Sequence, residues 1–321
     1  MKFYLSYDIG GTNLKVAIID ENFRILGKKS TKANAKERSG EQVIEVSIQL
    51  GKDLISELDL NCDSMLAIAL GAPGLVDDHS GRFVRASNLN FNDLAVRDLF
   101  QKEFSKPVFL INDANAAALA EAELGAGKET DTSVLLILGT GLGAGICIDH
   151  KIYTGYSGLA SELGHHVIEL NGRPCSCGRN GCFEQYSTAG ALIRLTEEAI
   201  EEEPESILAA EVRDAGRVSG HTAFSAAKKG CSAAAAVLDQ YYEYLAEGVA
   251  NVINFLMPEL IIIGGGVSGA GQVLVDGIEA KLDGKVFTAP GCPKTRLVLA
   301  AMGNEAGLLG PAIYAATELK C

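Results

Sequence analysis

The sequence predicts an α/β fold, because short apolar segments alternate along the chain with helical patterns. Apolar runs at 66–70, 108–111 and 260–263 have the length of buried strands, and each is followed by glycine or polar turn residues. A strand, a glycine-threonine turn and a second strand occur at 3–20 and recur at 133–149. We interpret the recurrence as an internal repeat of two similar domains, although βαβ proteins in general contain such turns.

The first half of the chain supplies the elements of one domain. Residues 3–8 and 14–20 alternate apolar and polar side chains and predict a hairpin closed by a glycine turn. Apolar residues at mixed spacing over 41–60 favour an amphipathic helix. An alanine-rich stretch over 114–124, followed by Gly125, predicts a second helix with a glycine at its end.

The second half continues the alternation after a long helical region. Residues 187–250 are predicted to be mostly helical, and the acidic run at 197–205 is interpreted as a solvated helix face. A helix over 272–282, a strand over 295–300 and a final helix from about 305 to 319 complete the chain. Because no Pro- or Ser-rich linker interrupts the sequence, we expect the two domains to pack across a cleft.

Composition narrows the class of protein. The 321-residue chain has a formal net charge of −13, which argues against nucleic acid as a partner because that affinity rests on clustered Lys and Arg. The N-terminus reaches Asp8 without a long apolar region, so we expect no secretory signal, and no apolar run approaches the roughly 18 residues of a membrane span. Five scattered cysteines without framework spacing fit a reduced cytoplasm.

Three glycine turns follow predicted strands, at 10–13, 139–145 and 264–266. Consecutive backbone N–H groups in such turns bind phosphate oxygens without a lysine. The Walker pattern of P-loop nucleotidases does not occur. The segment 264–269 formally matches a dinucleotide fingerprint, but it lies far down the chain, so a dehydrogenase is disfavoured.

The segment 164–184 concentrates cysteines, histidines and glycines. Three thiolates and one imidazole would complete the tetrahedron of a structural zinc site, although the C-x-C spacing is tighter than in a zinc finger. A disulfide and unpartnered loop cysteines are the alternatives, and spacing alone does not choose between the two histidines. The candidate ligands are Cys175, Cys177, Cys182 and either His165 or His166.

Polar side chains near these segments suit a polyhydroxylated ligand. Asn88, Glu162 and Glu184 offer hydrogen-bonding groups, and Asn112 and Asp113 follow a predicted strand. Asp113 is interpreted either as the N-cap of the next helix or as a functional acid at a strand's carboxyl end. As an acid it would accept a hydroxyl proton during phosphoryl transfer.

Six motifs together resemble the ROK family of bacterial sugar kinases and related repressors, within the hexokinase, Hsp70 and actin superfamily. The resemblance covers essentially the whole chain. It implies two actin-like (ribonuclease H-like) α/β domains with a cleft between them, the smaller formed by 1–114 plus about 305–321 and the larger by 115–304. The motifs are DIGGTNLK (8–15), GAPGLVD (71–77), NDAN (112–115), LGTGLGAGI (138–146), ELGH (162–165) and CxCGxxGCxE (175–184), whose first cysteine lies ten residues after His165.

The resemblance also implies a role for individual residues. Asp113 matches the catalytic base, and Asp8 lies near magnesium. The expected sugar contacts are Asn88, Asn112, Asp113, Glu162, His165 and Glu184. The expected contacts to ATP are Asp8, Gly10, Gly11, Thr12, Asn13, Thr140, Gly141, Gly265 and Gly266. The expected zinc ligands are His165, Cys175, Cys177 and Cys182, which leaves His166 without a role.

These roles predict a cytoplasmic, ATP-dependent sugar kinase with magnesium and a structural zinc. Glucose, phosphorylated at its C6 hydroxyl, is the expected acceptor, and N-acetylmannosamine or N-acetylglucosamine is the alternative. A sugar-responsive transcriptional regulator is disfavoured, because only seven residues precede Asp8 and the chain is acidic. A homodimer is expected from the resemblance alone.

Overall fold

The computed structural model describes residues 1–86 and 89–320. These residues form ten α-helices and thirteen strands. The strands are β1 (Phe3–Ile9), β2 (Asn13–Asp20), β3 (Ile25–Lys32), β4 (Met65–Ala72), β5 (Leu75–Asp77), β6 (Arg82–Ala86), β7 (Phe91–Leu94), β8 (Val108–Asn112), β9 (Thr132–Leu138), β10 (Leu142–Ile148), β11 (Lys151–Ile152), β12 (Leu260–Gly264) and β13 (Arg296–Leu299). The helices are α1 (Gly40–Glu57), α2 (Val96–Phe104), α3 (Asp113–Leu124), α4 (Glu184–Ser187), α5 (Ala189–Glu202), α6 (Ile207–Ala215), α7 (Thr222–Lys228), α8 (Ser232–Leu256), α9 (Gln272–Glu279) and α10 (Ala306–Glu318).

The chain forms two compact units. The first contains residues 1–129, 145–161 and the chain from 302 onward, and the second contains 130–144 and 162–301. The predicted domain boundaries stay a prediction: 1–114 plus about 305–321 for the smaller domain, and 115–304 for the larger one. Over the described part of the chain, no helix is both long and apolar enough to cross a membrane.

The first unit is built on a sheet with the strand order β3-β2-β1-β4-β8. β1 runs antiparallel to β2 and parallel to β4, and β4 runs parallel to β8. Apolar side chains from β1, β2 and β4 pack with α1 into a continuous core that includes Phe3, Leu5, Ile18 and Ile68, all fully buried. This core places the carboxyl ends of β1, β4 and β8 at one edge of the sheet, where α/β folds bind ligands.

The second five-stranded sheet repeats the same arrangement. Its order is β11-β10-β9-β12-β13, and β12 runs parallel to both β9 and β13. Each sheet therefore places its first strand in the centre, its second and third strands on one side and its fourth and fifth on the other. This correspondence is what the predicted internal repeat requires, and the alternation of strands and helices confirms the predicted α/β class.

Several elements differ from the sequence prediction. β3 was not expected, because its residues are mostly polar and its side chains alternate between half-buried and exposed at the edge of the sheet. A three-stranded antiparallel sheet of β5, β6 and β7 was also missed. The acidic run at 197–205 begins on α5 as predicted, but α5 ends at Glu202 and the run continues beyond it. The predicted helix at 272–282 ends three residues earlier, at Glu279.

Candidate active site

The first glycine turn connects β1 and β2 and leaves its polar residues accessible. The backbone N–H of Gly10 donates to the carbonyl of Asn13 at 3.0 Å, which closes the turn. The N–H of Ala33 donates to the carbonyl of Thr12 at 2.9 Å and ties the turn to the chain after β3. The side chains of Thr12 and Asn13 are exposed. The turn thus presents polar groups at the carboxyl end of β1.

Asp8, one residue before the end of β1, lies beside this turn. Its Oδ2 accepts a hydrogen bond from Nζ of Lys15 at 2.7 Å, and both side chains are partly exposed. Gly307 lies so close that a Cβ at that position would be 3.0 Å from Asp8 Oδ2. A larger residue at position 307 would therefore displace the Asp8 carboxylate by a few tenths of an ångström. Sequence reasoning missed Lys15, although the hairpin pairs it directly with Asp8.

Asn112 and Asp113 lie at the junction of β8 and α3. Asn112 is the N-cap: its Oδ1 accepts hydrogen bonds from the N–H groups of Ala114 at 2.9 Å and Asn115 at 3.1 Å. Its Nδ2 also donates to the carbonyl of Gly74 at 3.1 Å. The interpretation of Asp113 as the cap is therefore wrong, because the preceding amide already holds that position. Asp113 is the first residue of α3, with an exposed side chain.

The second glycine turn connects β9 and β10 in the second unit. The N–H of Gly139 donates to the carbonyl of Gly141 at 3.0 Å. Oε2 of Glu184 accepts a hydrogen bond from the N–H of Leu142 at 3.0 Å, and a Cβ on Gly141 would lie 2.9 Å from the same oxygen. Thr140 and Gly141 are exposed. Glu184 therefore supports the turn at its exit.

The third glycine turn follows β12. Gly265 has a φ of +85°, and a Cβ there would lie 2.5 Å from the carbonyl oxygen of Leu138, the last residue of β9. Only glycine fits both the left-handed backbone and this close approach. Gly266 is exposed and begins a short 3₁₀ turn. The formal dinucleotide fingerprint thus leads first into a 3₁₀ turn, with α9 starting only at Gln272.

One histidine and three cysteines converge between the end of β11 and α4. Their ligand atoms all lie within 4.8 Å of one another. His165 Nδ1 is 3.6 Å from Cys175 Sγ, and Cys177 Sγ is 3.6 Å from Cys182 Sγ. Tetrahedral zinc with Zn–S bonds of about 2.3 Å separates its sulfurs by roughly 3.8 Å, so the donor set fits the metal in both type and spacing.

The cysteines of this cluster have opposing electrostatic surroundings. Burial, reinforced by the neighbouring thiols, raises the pKa of Cys182 to about 12. Hydrogen bonding from the backbone of Arg179 lowers the pKa of Cys177. Three thiolates this close together repel one another unless a cation lies between them, and metal binding supplies that cation while releasing the protons.

His166 faces away from the cluster. Its Nδ1 lies 2.6 Å from the carbonyl oxygen of Leu163, and its ring packs on Phe183 with a centroid separation of 5.1 Å. Burial lowers the pKa of His166, which favours the neutral ring. The structure thus brings His165, and not His166, to the cysteines.

The remaining predicted residues flank this cluster or lie elsewhere. Glu162 is exposed and precedes a 3₁₀ turn over 163–165, where its carbonyl accepts the N–H of His165 at 3.1 Å. Oε1 of Glu184 lies 3.9 Å from Cys175 Sγ, which links the cysteine segment to the second glycine turn. Asn88 lies outside the described residues. The contact of Glu184 with a backbone N–H had no signal in the sequence.

Comparison with known proteins gives a consistent result. The ROK family model matches residues 4–318. A glucokinase of Halalkalibacterium halodurans is 34% identical over 314 residues, which cover 96% of this chain and 93% of that protein. A glucokinase of Thermotoga maritima is 33% identical over 310 residues, which cover 96% of this chain and 95% of that protein. The crystal structure of a ROK glucokinase from Streptomyces griseus with glucose and AMPPNP aligns with a TM-score of 0.80 at 29% identity, covering 98% of this chain and 99% of that one. The structural likeness confirms the predicted two-domain actin-like fold.

Proposed function

The chain belongs to the ROK family, and from this premise we propose that it is an ATP-dependent sugar kinase that phosphorylates glucose. The observation that carries the proposal is the likeness to glucokinases over nearly the full length of both chains. The residues expected to perform the reaction are present, and those within the described part of the chain have surroundings that suit their roles.

Asp113 is the proposed catalytic base. Its side chain is exposed at the N-terminus of α3, at the carboxyl end of a parallel strand. Asn112 is the N-cap of the helix, and Oδ1 of Asp113 also accepts a hydrogen bond from the N–H of Ala114, at 2.8 Å. The carboxylate of Asp113 would accept the proton of the C6 hydroxyl as that oxygen attacks the γ-phosphorus of ATP and the bond to the β-phosphate oxygen breaks. General base catalysis of this kind contributes about 10²- to 10⁴-fold in rate.

The glycine turns are the proposed contacts to the phosphates of ATP. Their backbone N–H groups donate to phosphate oxygens and balance negative charge that moves during transfer. Magnesium, when bound, would neutralise charge on the phosphates, and a carboxylate such as Asp8 suits the ion because Mg²⁺ in kinases is held by one or two carboxylates together with phosphates and water. Gly265 and Gly266 are proposed to lie against the adenosine, where the absence of side chains leaves the backbone accessible.

Zinc is the proposed occupant of the cysteine cluster. His165, Cys175, Cys177 and Cys182 would hold it, and its role would be to fix the surrounding chain. Of the proposed sugar contacts, Glu162 lies just before the segment 164–184, and His165 and Glu184 lie within it. The other three are Asn88, Asn112 and Asp113. The amide of Asn112 is held by its contacts to α3 and Gly74, so it would meet the sugar in a fixed orientation.

The finer properties of the proposed kinase follow the same reasoning. We propose that it acts in the cytoplasm as a homodimer, in keeping with its family. None of the seven cysteines in the described part of the chain forms a disulfide, which is compatible with that compartment. Size-exclusion chromatography with light scattering would measure the oligomeric state directly.

The proposal is tested by ADP release with ATP, Mg²⁺ and a panel of hexoses and N-acetylhexosamines. We expect glucose to give the highest kcat/KM, and equal trace rates with every sugar would contradict the proposal. Asp113→Asn should lower kcat by about 10²- to 10⁴-fold while glucose still binds, as measured by calorimetry. Asp59→Asn is the matched control, because Asp59 is exposed and has a positive φ that asparagine tolerates. An Asp113→Asn protein with a near wild-type rate would remove Asp113 from the chemistry.

A further inference from the structure

The second unit brings the second and third glycine turns together. A Cβ on Gly265, in the third turn, would lie 2.5 Å from the carbonyl oxygen of Leu138, the residue just before the second turn. A Cβ on Gly266 would meet nothing within 4 Å, so the space in front of this glycine is open. A nucleotide with its phosphates on the second turn and its adenosine on the third, as proposed above, would occupy that space.

The loop that leads into α7 borders the same place. The N–H of Ala189, the first residue of α5, donates to the carbonyl of Gly139 in the second turn at 3.1 Å. A Cβ on Gly220 would lie 3.8 Å from the Cβ of Ala189. A Cβ on Gly269, in the 3₁₀ turn that begins at Gly266, would lie 3.6 Å from Cε1 of His221. The loop therefore extends from the surroundings of the second turn to those of the third.

His221 has a fixed backbone and an accessible ring. Its N–H donates to Oγ of Ser219 at 3.3 Å, and the N–H of Ser219 donates to Oγ1 of the buried Thr222 at 2.9 Å. The residue is the N-cap of α7, but its side chain makes no capping hydrogen bond, and it is exposed. The loop thus positions the imidazole beside the third turn without using it to hold the helix.

Backbone turns do not distinguish one phosphate compound from another. The N–H groups of the second turn would donate equally to the phosphate oxygens of ATP and to those of an inorganic phosphate chain. At the third turn, Gly265 and Gly266 have no side chains, and the hydroxyl of Ser268 already donates to the carbonyl of Gly265 at 2.7 Å. Selection of a nucleotide therefore requires a side chain from outside the turn.

An imidazole ring beside a glycine surface is suited to that selection. Aromatic side chains, histidine among them, stack on nucleic-acid bases, because every base has a flat π-face. The open space in front of Gly266 has room for such a base, and His221 lies against the same 3₁₀ turn at Gly269. An inorganic phosphate chain has no flat face, so it would gain nothing from the ring.

We propose that His221 determines the specificity for the phosphoryl donor: its ring stacks on the base of the nucleotide and favours a nucleotide over a phosphate chain that lacks a base. This inference rests on the proposed function, because it takes the second and third turns as the contacts to ATP. The ring acts on the base and not on the transferred phosphate. It therefore lowers the KM for ATP and leaves kcat unchanged.

The test is isothermal titration calorimetry of the full chain with two probes, ADP and tripolyphosphate, each with Mg²⁺ and without sugar. ADP carries a base and phosphates, whereas tripolyphosphate carries phosphates alone. We expect His221→Ala to weaken ADP binding about five- to ten-fold, the lower end of the effect of base stacking, because the ring is exposed. Binding of tripolyphosphate should stay within about two-fold of wild type, since it makes no contact with the ring.

Further variants separate stacking from hydrogen bonding. His221→Phe keeps an aromatic ring and should hold ADP within about two-fold of wild type, whereas His221→Gln keeps a polar group without a ring and should behave like His221→Ala. His150→Ala is the matched control, because it removes another accessible histidine, one that lies in the first unit with Nδ1 3.2 Å from Oε1 of Glu123. It should leave ADP binding unchanged.

The outcomes distinguish this proposal from the proposed kinase activity. Equal ADP affinity in His221→Ala and wild type would overturn the role of His221, and so would an equal loss for ADP and tripolyphosphate, because the residue would then act on the phosphate contacts. If His221→Ala does not fold, the comparison of His221→Phe with His221→Gln decides the question, and equal ADP affinity in those two would overturn stacking. A wild-type protein that binds ADP but phosphorylates no sugar would contradict the kinase activity and leave the stacking result standing.

Discussion

Glu184 offers the sharpest test of how the second unit is organised. Its Oε2 accepts the N–H of Leu142 at 3.0 Å at the exit of the second glycine turn, and the same side chain is a proposed sugar contact. Glu184→Ala removes both interactions, whereas Glu184→Gln keeps an oxygen acceptor for Leu142 and removes only the charge. The two variants therefore separate support of the turn from contact with the sugar.

The magnitude follows from the hydrogen bond itself. A hydrogen bond to a charged group contributes about 1.5–3 kcal/mol, so its loss corresponds to roughly a 10- to 150-fold effect. We expect Glu184→Ala to raise the KM for ATP by a factor toward the lower end of that range, because the other residues of the turn would still contact phosphate, and to raise the KM for glucose as well. Glu184→Gln should return the KM for ATP to within about three-fold of wild type but leave the KM for glucose raised.

The assay is steady-state ADP release with each substrate varied while the other is saturating. Glu169→Gln, a change at an exposed glutamate on the cysteine segment, serves as the control for charge removal in the same region. If Glu184→Ala changed only the KM for glucose, the turn would not depend on this carboxylate. If Glu184→Gln behaved like Glu184→Ala for ATP, the charge and not the acceptor oxygen would be the important property.

Two further predictions concern the cysteine cluster and the third glycine turn. Cys177→Ser should lower the zinc content measured by mass spectrometry and weaken glucose binding more than ATP binding, because three proposed sugar contacts, Glu162, His165 and Glu184, lie within or beside the segment 164–184. Unchanged glucose affinity would leave the cluster a purely structural role. Gly265→Ala should lower the free energy of unfolding by about 2 kcal/mol or more, because a Cβ would lie 2.5 Å from a backbone oxygen of Leu138 in a left-handed conformation. Chemical denaturation would measure this loss, and a Gly266→Ala variant, whose Cβ would meet nothing within 4 Å, should cost less.

The fold was predictable where burial dictates the pattern. β4, β8, β9 and β12 consist of aliphatic runs because helices or other strands cover both faces, and these strands were found within one or two residues. β3 was not predicted from the sequence because it lies at the edge of the sheet beside β2, where its polar side chains reach solvent. An edge strand of this kind carries no apolar signal.

The start of β10 was missed for a different reason. The strand begins at Leu142, whereas the glycines there predicted a turn as far as Gly145. A Cβ on Gly145 would lie 2.4 Å from the Cβ of Ala118 on α3, so the glycine is present for close packing and the backbone remains extended. Sequence alone does not distinguish a glycine that makes a turn from one that admits a neighbouring helix.

The residues of the candidate site were likewise predicted only in part. Residue types and spacing were enough to select the three cysteines, since chemistry fixes what a metal accepts, but they left His165 and His166 as alternatives, and only the family resemblance selected His165. They were not enough to assign Asn112 as the cap, because asparagine and aspartate are equally good N-caps and stand side by side. The pairing of Lys15 with Asp8 follows from the register of the predicted hairpin, whereas the contact of Glu184 with Leu142 joins distant parts of the chain and required the tertiary structure.

Regular structure is scarce around the proposed sugar contacts, which is where the proposed zinc would add rigidity. Between β11 and α4, all of which the structure describes, the chain has one short 3₁₀ turn and two isolated bridges, Val167 with Cys182 and Pro174 with Asn180. Side chains that orient a substrate must be held to within about 0.5 Å, which so little secondary structure does not achieve. Both ends of the segment meet at Leu142: a Cβ on Gly164 would lie 2.8 Å from its carbonyl oxygen, and Glu184 accepts its N–H. A metal that closes the segment internally would therefore fix both ends against the phosphate turn, and removal of zinc with a chelator should loosen the sugar contacts first and the turn second.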